Sequence, residues 1–307
     1  MGFKKSDLHV ISVVSNTVRY KSRYDLYNRF AEKMEKQGVN LYTVECQLGE
    51  RDFAVTNSSN PKHLQLRTLD EIWHKENMIN LGIARLPQDW KYCAFADADI
   101  IFDRDDWVEE ALHSLQSYHV VQNFQNAIDL APDGSVVQLH HGFAWQYING
   151  APFNAKYYPF WHPGFSWSFT REAINAMGSG LLDRCVLGSG DHHMALALIG
   201  KAYASLPNNI TDAYRRYIFE WQSRVLKYIK KDIGYVPGTI KHLWHGKKKT
   251  RFYQERWGIL QKHKFDPMKD LRRDWQGLHQ LEDHRVDLRD DIRKYFRSRL
   301  EDSVDLE

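Results

Sequence analysis

Cysteine is scarce in this chain. Of 307 residues only Cys46, Cys93 and Cys185 carry a thiol, far apart and with no CxxC pair. That argues against a disulfide framework and a thiolate zinc site, and fits a reducing compartment. Long apolar runs are missing too, since no uncharged stretch approaches the ~18 residues needed to cross a bilayer. The opening MGFKKSDLHVISVVSN lacks the apolar length of a secretory signal. These absences lead us to expect a cytoplasmic protein with no membrane partner. Internal repeats and low-complexity tracts are also lacking, so a single catalytic-size domain is the simplest division.

Net charge of one sign is nearly absent at +3, but the charge is unevenly spread. Between Ala213 and Lys264 fourteen Lys/Arg face Glu220, Asp232 and Glu255, a local +11 that leaves −8 for the rest. Such a segment suits a polyanion or a diphosphate, or else forms a solvated helix face. Aromatics are abundant, with Trp 10, Tyr 16 and Phe 15. Flat rings suit nucleosides and sugars, and equally an aromatic core.

The first hundred residues alternate strand and helix signals. His9–Ser15 is a β-branched run and predicts a buried strand. A helix is expected over Tyr20–Gln37, closed at Gly38, then a strand over Val39–Cys46 and a loop over Gly49–Leu66. Leu69, Ile72, Trp73, Ile79 and Ile83 predict an amphipathic helix ending before Pro87. Tyr92–Ala96 predicts a third strand leading straight into Asp97-Ala98-Asp99. This alternation implies a mostly parallel α/β sheet with ligands at the strand C-termini. Beyond it we expect a helix over Trp107–Ser117, a strand over Val120–Phe124 and an aromatic loop over His140–Pro163. Ser166–Phe169 reads as a strand, followed by a Thr170-capped helix through Met177. Asp191–Gly200 and Ala213–Lys231 read as helices. Leu288, Ile292, Phe296 and Leu300 mark a helical C-terminal extension. The boundaries expected are 1–264 for the main domain, divided at residue 100, and 265–307 for the extension.

Asp97 and Asp99, one residue apart beyond a buried strand, can share a hard dication such as Mn2+ or Mg2+ with phosphate oxygens. Buried between apolar neighbours, they need a cation or a hydrogen-bond network. Asp103-Arg104-Asp105 repeats the pattern and reads as a helix N-cap. In Lys241-His242-Leu243-Trp244-His245-Gly246-Lys247-Lys248-Lys249, with Arg251 beyond, an imidazole supplies a third metal ligand and the cations meet a diphosphate. His245 is preferred as ligand and His242 is the alternative. Asp191, in Gly188-Ser189-Gly190-Asp191-His192-His193, could take the proton of an attacking hydroxyl, or merely cap its helix. His192 is placed on the acceptor side and His193 in packing. Trp161, His162, Gly164 and Trp167 offer rings and close approach for an acceptor, with core packing as the alternative. Ser15 and Asn16, with Trp73, Lys75 and Asn77, fall on the same sheet edge, within reach of a nucleoside.

Taken together, SN…R (Ser15–Arg19), WHKEN (Trp73–Asn77), DADI (Asp97–Ile100), HPGFSW (His162–Trp167), GSGDHH (Gly188–His193) and HLWHG (His242–Gly246) resemble GT-A fold glycosyltransferases. The closing RFYQERW…FDP…RKYFRSRLED resembles the tail of a related group in phages and bacteria. The resemblance implies a Rossmann-like GT-A sheet and a nucleotide-sugar donor, taken as a UDP-sugar. It implies that Asp97, Asp99 and a late His hold manganese or magnesium on the donor diphosphate, with Arg19, Ala98, Lys247 and Arg251 also on the donor. Asp191 then sits on the acceptor side, where inverting members place a base. The two histidines after Asp191 depart from the acidic pair of many inverting members and leave the stereochemistry open. Some phage enzymes of this kind glycosylate hydroxymethylated pyrimidines in DNA, so modified DNA in a host cytoplasm is one acceptor and a glycan or small molecule another. Two other classes compete. One is a DHH phosphoesterase, which would want Asp191 at a strand end; the other is a non-catalytic nucleic-acid binder, which leaves Asp97 and Asp99 unexplained.

Overall fold

A computed structural model describes residues 3–153, 161–178 and 180–305 of the chain. Leu8–Ser15 forms β1, with Val10 and Ile11 fully buried in two different cores. Successive side chains on a strand point to opposite faces, so a strand covered on both sides reads as a continuous apolar run. α1 (Lys21–Lys36) follows, burying Tyr27, Phe30 and Met34. Gly38 at φ +69 lets the chain leave the helix in the left-handed region. β2 (Asn40–Leu48) then returns parallel to β1.

The expected loop over Gly49–Leu66 needs correction, because His63–Thr68 forms β3, a parallel edge strand on β2. Its short polar sequence HLQLRT hides only two inward leucines. The next helix also starts later than expected. α2 spans Lys75–Ile83, while Leu69 is 73% exposed in a non-helical approach segment. β4 (Tyr92–Ala96) pairs in parallel with β1.

Among the described residues the central sheet runs β11 (Ile233–Tyr235), β6 (Val120–Gln122), β10 (Ser166–Thr170), β4, β1, β2, β3. Only β10 is antiparallel to its neighbours, so the expected mostly parallel α/β sheet is observed. A second sheet orders β5 (Ile100–Phe102), β12 (Thr239–His242), β7 (Asn126–Leu130), β8 (Val136–Gly142) and β9 (Trp161–His162). The stretch expected as an aromatic loop therefore holds the end of β8, α4 (Phe143–Ile148) and β9, while its residues 154–160 lie outside the described part.

α3 (Trp107–Ser114) begins after Asp106, so Asp103 and Asp105 are not its caps. They bind Lys241 (2.9 Å) and Lys33 (2.9 Å) instead. Thr170 does cap α5 (Arg171–Ala176), accepting from the Ala173 amide. α6 (Gly190–Leu198) and α7 (Asp212–Tyr228) complete the middle of the chain. Beyond α8 (Arg256–Lys262) the stretch expected to be helical holds a hairpin, β13 (Leu271–Arg273) with β14 (His279–Leu281), before α9 (Val286–Arg297). α9 is tied back to the segment before α2: Arg289 Nε donates to Asp70 at 2.6 Å and Arg297 Nη2 to Glu71 at 2.6 Å. No helix among the described residues is long and apolar enough to cross a membrane.

Candidate active site

A cavity opens at the C-terminal edge of β1 and β4, where the parallel sheet leaves strand ends uncovered. Asp99 sits at its floor. β5 follows it at once and pairs with β12, bringing Ile100 opposite His242, and the Leu243 amide donates to the Asp99 carbonyl at 2.8 Å. This register delivers both histidines to one carboxylate. His245 Nε2 lies 3.2 Å and His242 Nε2 3.9 Å from Asp99 Oδ2, and the two Nε2 atoms are 3.1 Å apart.

Asp99, His242 and His245 are all buried, and each offers one ligand atom within 4.8 Å of the others. Asp99 Oδ1 is buried and has no hydrogen-bond partner. Converging lone pairs and an orphaned carboxylate oxygen are costly in an apolar surround without a cation. Burial pushes the Asp99 carboxyl up, yet hydrogen bonding and charge from His245, then His242 and Arg23, hold it well below the usual range. Among the described residues, Asp191, His192 and His193 form no such converging group.

Asp97 has a different partner. Its Oδ1 pairs with Lys75 Nζ at 2.5 Å, and its amide donates to the Phe165 carbonyl at 2.8 Å. Burial raises its carboxyl, Lys75 opposes this, and the charge of Asp99 adds to the rise. The expected ligands Asp97, Asp99 and His245 are thus near one another, but the tight triad is Asp99 with both histidines.

Four guanidinium groups face the cavity: Arg23, Arg251, Arg256 and Arg299. Arg23 Nη1 donates to Asp99 Oδ2 at 3.0 Å, and its Nε pairs with Glu301. Arg299 Nη2 holds the other Glu301 oxygen at 2.9 Å and lies 5.8 Å over the Trp73 ring. Arg251 Nη2 approaches His245 Nε2 at 3.0 Å. Arg23, Arg299 and Glu301 escape sequence reasoning, because only the return of α9 brings residues 299–301 against α1.

Of the residues expected at the donor, Ser15, Asn16, Ala98, Trp73, Lys75 and Arg251 line the cavity. Asn16 also closes the β1–α1 turn, exchanging hydrogen bonds of 2.7 and 2.9 Å with Tyr20. Three others do not line it. Arg19 is exposed at φ 68. Asn77 is buried and accepts from the His279 amide at 2.9 Å, pinning the C-terminal hairpin. Lys247 lies outside the cavity, while Lys248 beside it pairs with Asp129 at 2.5 Å.

Asp191, His192 and His162 also line the cavity. Asp191 lies in the first turn of α6, behind Ser189 at the N-cap, so it does not cap the helix; its Oδ1 accepts from the His192 amide at 2.7 Å. Gly164 packs so closely that a Cβ there would collide with Asp191 Oδ2. His162 stacks on Phe165 at 3.7 Å with ring planes 7° apart. Burial lowers His192 to about 4, which keeps it neutral near pH 7. Trp161 and Trp167, expected as acceptor contacts, do not line the cavity. Trp161 packs on Phe143 and Phe153, and Trp167 donates to the Pro163 carbonyl at 2.7 Å. His193 is a packing residue, bonded to Ser205 and Tyr214.

Much of the basic segment is at the surface, where Arg216, Lys227, Lys230, Lys231, Lys249 and Lys264 are exposed. Arg215 and Arg224 bond main-chain carbonyls, Lys241, Lys248 and Lys262 pair with Asp103, Asp129 and Asp291, and Arg251 and Arg256 face the cavity.

No family model matches the chain, and no curated protein matches it. Solved structures of similar arrangement include a mannosyltransferase from Pyrobaculum calidifontis in complex with GDP-Man and Mn2+ (16% identity, TM-score 0.39, covering 64% of this chain and 53% of that one). Another is Drosophila β-1,4-galactosyltransferase 7 in complex with manganese, UDP-Gal and xylobiose (12%, TM-score 0.41, 95% and 98%). A third is 4-diphosphocytidyl-2C-methyl-D-erythritol synthase from Anaerococcus prevotii (9%, TM-score 0.34, 75% and 88%). The match spans about half the length of the mannosyltransferase.

Proposed function

We propose that the chain is a metal-dependent glycosyltransferase of the GT-A type that moves a sugar from a nucleotide diphosphate, a UDP-sugar in the first instance, onto an acceptor hydroxyl. The observation that carries this reading is the buried convergence of Asp99, His242 and His245 at a strand end, beneath a set of arginines. Those three residues would hold the ion, and two imidazoles in the set favour Mn2+ over Mg2+, which prefers oxygen alone. Bound there, the ion supplies charge stabilisation for the leaving diphosphate.

The chain's own groups do the rest. Arg23, Arg251 and Arg299 present planar donors that match phosphate oxygens. Lys75 fixes Asp97 at the cavity edge. Asp191, on the cavity wall beside Gly164, accepts the proton of the incoming hydroxyl. His162 and His192 shape that wall and, held neutral, add no charge to it. A glycan or small molecule is one source of that hydroxyl and hydroxymethylated DNA another, since Lys227, Lys230, Lys231 and Lys249 of the basic segment are exposed.

Thermal shift with a panel of nucleotide sugars, with and without Mn2+, tests the reading. Stabilisation is expected only when metal and a matching donor are both present, and Asp99→Ala should abolish it. Donor binding indifferent to metal would remove the assignment. Labelled donor offered to hydroxymethylated DNA, plain DNA and simple glycans decides the acceptor.

A further inference from the structure

Asp129 lies on β7 and His242 on β12, and the two are paired residues of neighbouring parallel strands. The sheet itself holds them together. Asp129 Oδ1 meets His242 Nδ1 at 2.6 Å, while its Oδ2 takes His140 Nε2 at 2.6 Å and Lys248 Nζ at 2.5 Å. The carboxylate is buried at 5% exposure, and with both oxygens engaged it has no freedom to rotate.

An ionised carboxylate only accepts hydrogen bonds. The hydrogen on His242 must therefore sit on Nδ1, which leaves Nε2 with its lone pair. That lone pair faces His245 Nε2 at 3.1 Å and Asp99 Oδ2 at 3.9 Å. We infer that Asp129 is a positioning residue which fixes the tautomer and orientation of His242 so that Nε2 is presented to a dication. The inference rests on reading Asp99, His242 and His245 as a metal site. Histidine ligands generally donate their other ring N–H to a carboxylate, a backbone carbonyl or water, and loss of that partner typically weakens metal affinity by about 10–100-fold.

Asp129→Asn is the informative change because it keeps the shape. Lys248 has only hydrogens to give, so it claims the amide oxygen and turns the NH2 edge toward His242. Nδ1 must then accept, the proton moves to Nε2, and an N–H points where the metal would sit.

The test uses the full-length metal-free protein with Mn2+ alone as probe. Binding is read from the paramagnetic resonance of free Mn2+, and the tautomer of His242 from two-bond proton–nitrogen correlations in 15N-histidine-labelled protein. The expected results are an Nδ1–H tautomer in the wild type, an Nε2–H tautomer in Asp129→Asn and an affinity roughly 10–100-fold weaker in that variant. A wild-type protein carrying Nε2–H, or an Asp129→Asn variant that binds Mn2+ as tightly as the wild type, overturns the inference. Should the wild type bind no Mn2+, the metal reading falls and the tautomer spectra alone judge Asp129. Should the variant fail to fold, the wild-type spectrum still decides.

Discussion

Arg23 on α1 and Glu301, 278 residues later, form a partly buried ion pair at the wall of the cavity, and the buried Arg299 pairs with the same carboxylate. Around it the tail is stitched to the start of α1: Asp302 accepts from the Lys21 and Ser22 amides at 2.9 and 2.8 Å. A carboxylate there complements both the unpaired amides and the positive end of the helix. Gly246 makes room for the tail, since a Cβ on it would lie 2.8 Å from the Leu300 carbonyl oxygen. The residues after α9 are therefore a wall of the site. Glu301→Ala leaves Arg23 and Arg299 without their shared carboxylate, and breaking a buried pair in this way costs about 3–5 kcal/mol. Urea unfolding should record a loss of that order, and a loss below about 1 kcal/mol would show that solvent reaches the pair freely.

Gly164 offers a cleaner probe of the acceptor wall. A methyl group in place of its hydrogen meets Asp191 Oδ2 and must displace it. Misplacing a reacting group by about an ångström can cost around a hundredfold in rate. Gly164→Ala should thus lower transfer by one to two orders of magnitude and leave metal-dependent donor affinity within about twofold. Calorimetry with the donor, alongside turnover, separates the two. Equal losses in both would mean that Asp191 serves the donor.

The parts of the site visible from sequence are those that local pattern alone positions. The run YCAFA ending in Asp97-Ala98-Asp99 fixes a strand and what stands at its tip, and the alternation before it fixes which edge that is. The histidine pair around Leu243 is visible as a motif, but the choice between them is not. It depends on β12 lying between β5 and β7, a pairing of residues far apart in the chain. Asn77 and Trp167 mislead for a related reason. Each sits in a promising motif, yet one faces a hairpin and the other the core, and periodicity carries no sign of which neighbour will arrive. Arg23 and Glu301 have no local signature, since each reads as one more charge on a polar helix or tail.

Asp191→Asn asks whether the carboxylate moves a proton. The amide keeps the size and can still accept from the His192 amide, so the fold should persist. A general base contributes on the order of 10²–10⁴-fold. Transfer should fall by that amount at saturating donor, with donor binding unchanged. A variant retaining more than about a tenth of wild-type transfer removes Asp191 from that role and leaves it as a first-turn residue of α6.

Glu76 connects the site to pH. It is 4% exposed, accepts from Trp73 Nε1 at 2.9 Å and abuts Gly190, where a Cβ would sit 2.7 Å from its carboxyl. Burial raises its pKa from 4.5 to about 7, with Lys75 opposing and Asp191 adding to the rise. Below pH 4.5 both folded and unfolded chains carry the proton, and the group is neutral in its effect on stability. Between 4.5 and about 7 the unfolded chain ionises while the folded one keeps its proton, so stability is lost as pH rises. Above about 7 the full penalty stands, about 3 kcal/mol as an upper figure from the size of the shift. Glu76→Gln removes the titration and can retain the bond from Trp73. The Tm of the variant relative to the wild type should therefore increase steadily from pH 5 to pH 8, because only the wild type acquires a buried charge. Melting curves in buffers matched for ionic strength give this difference directly, since titrating groups remote from Glu76 cancel between the two proteins. A difference that stays flat across that range means Glu76 is already ionised at pH 5, held so by Lys75, and the charge balance on this side of the cavity is then one unit more negative.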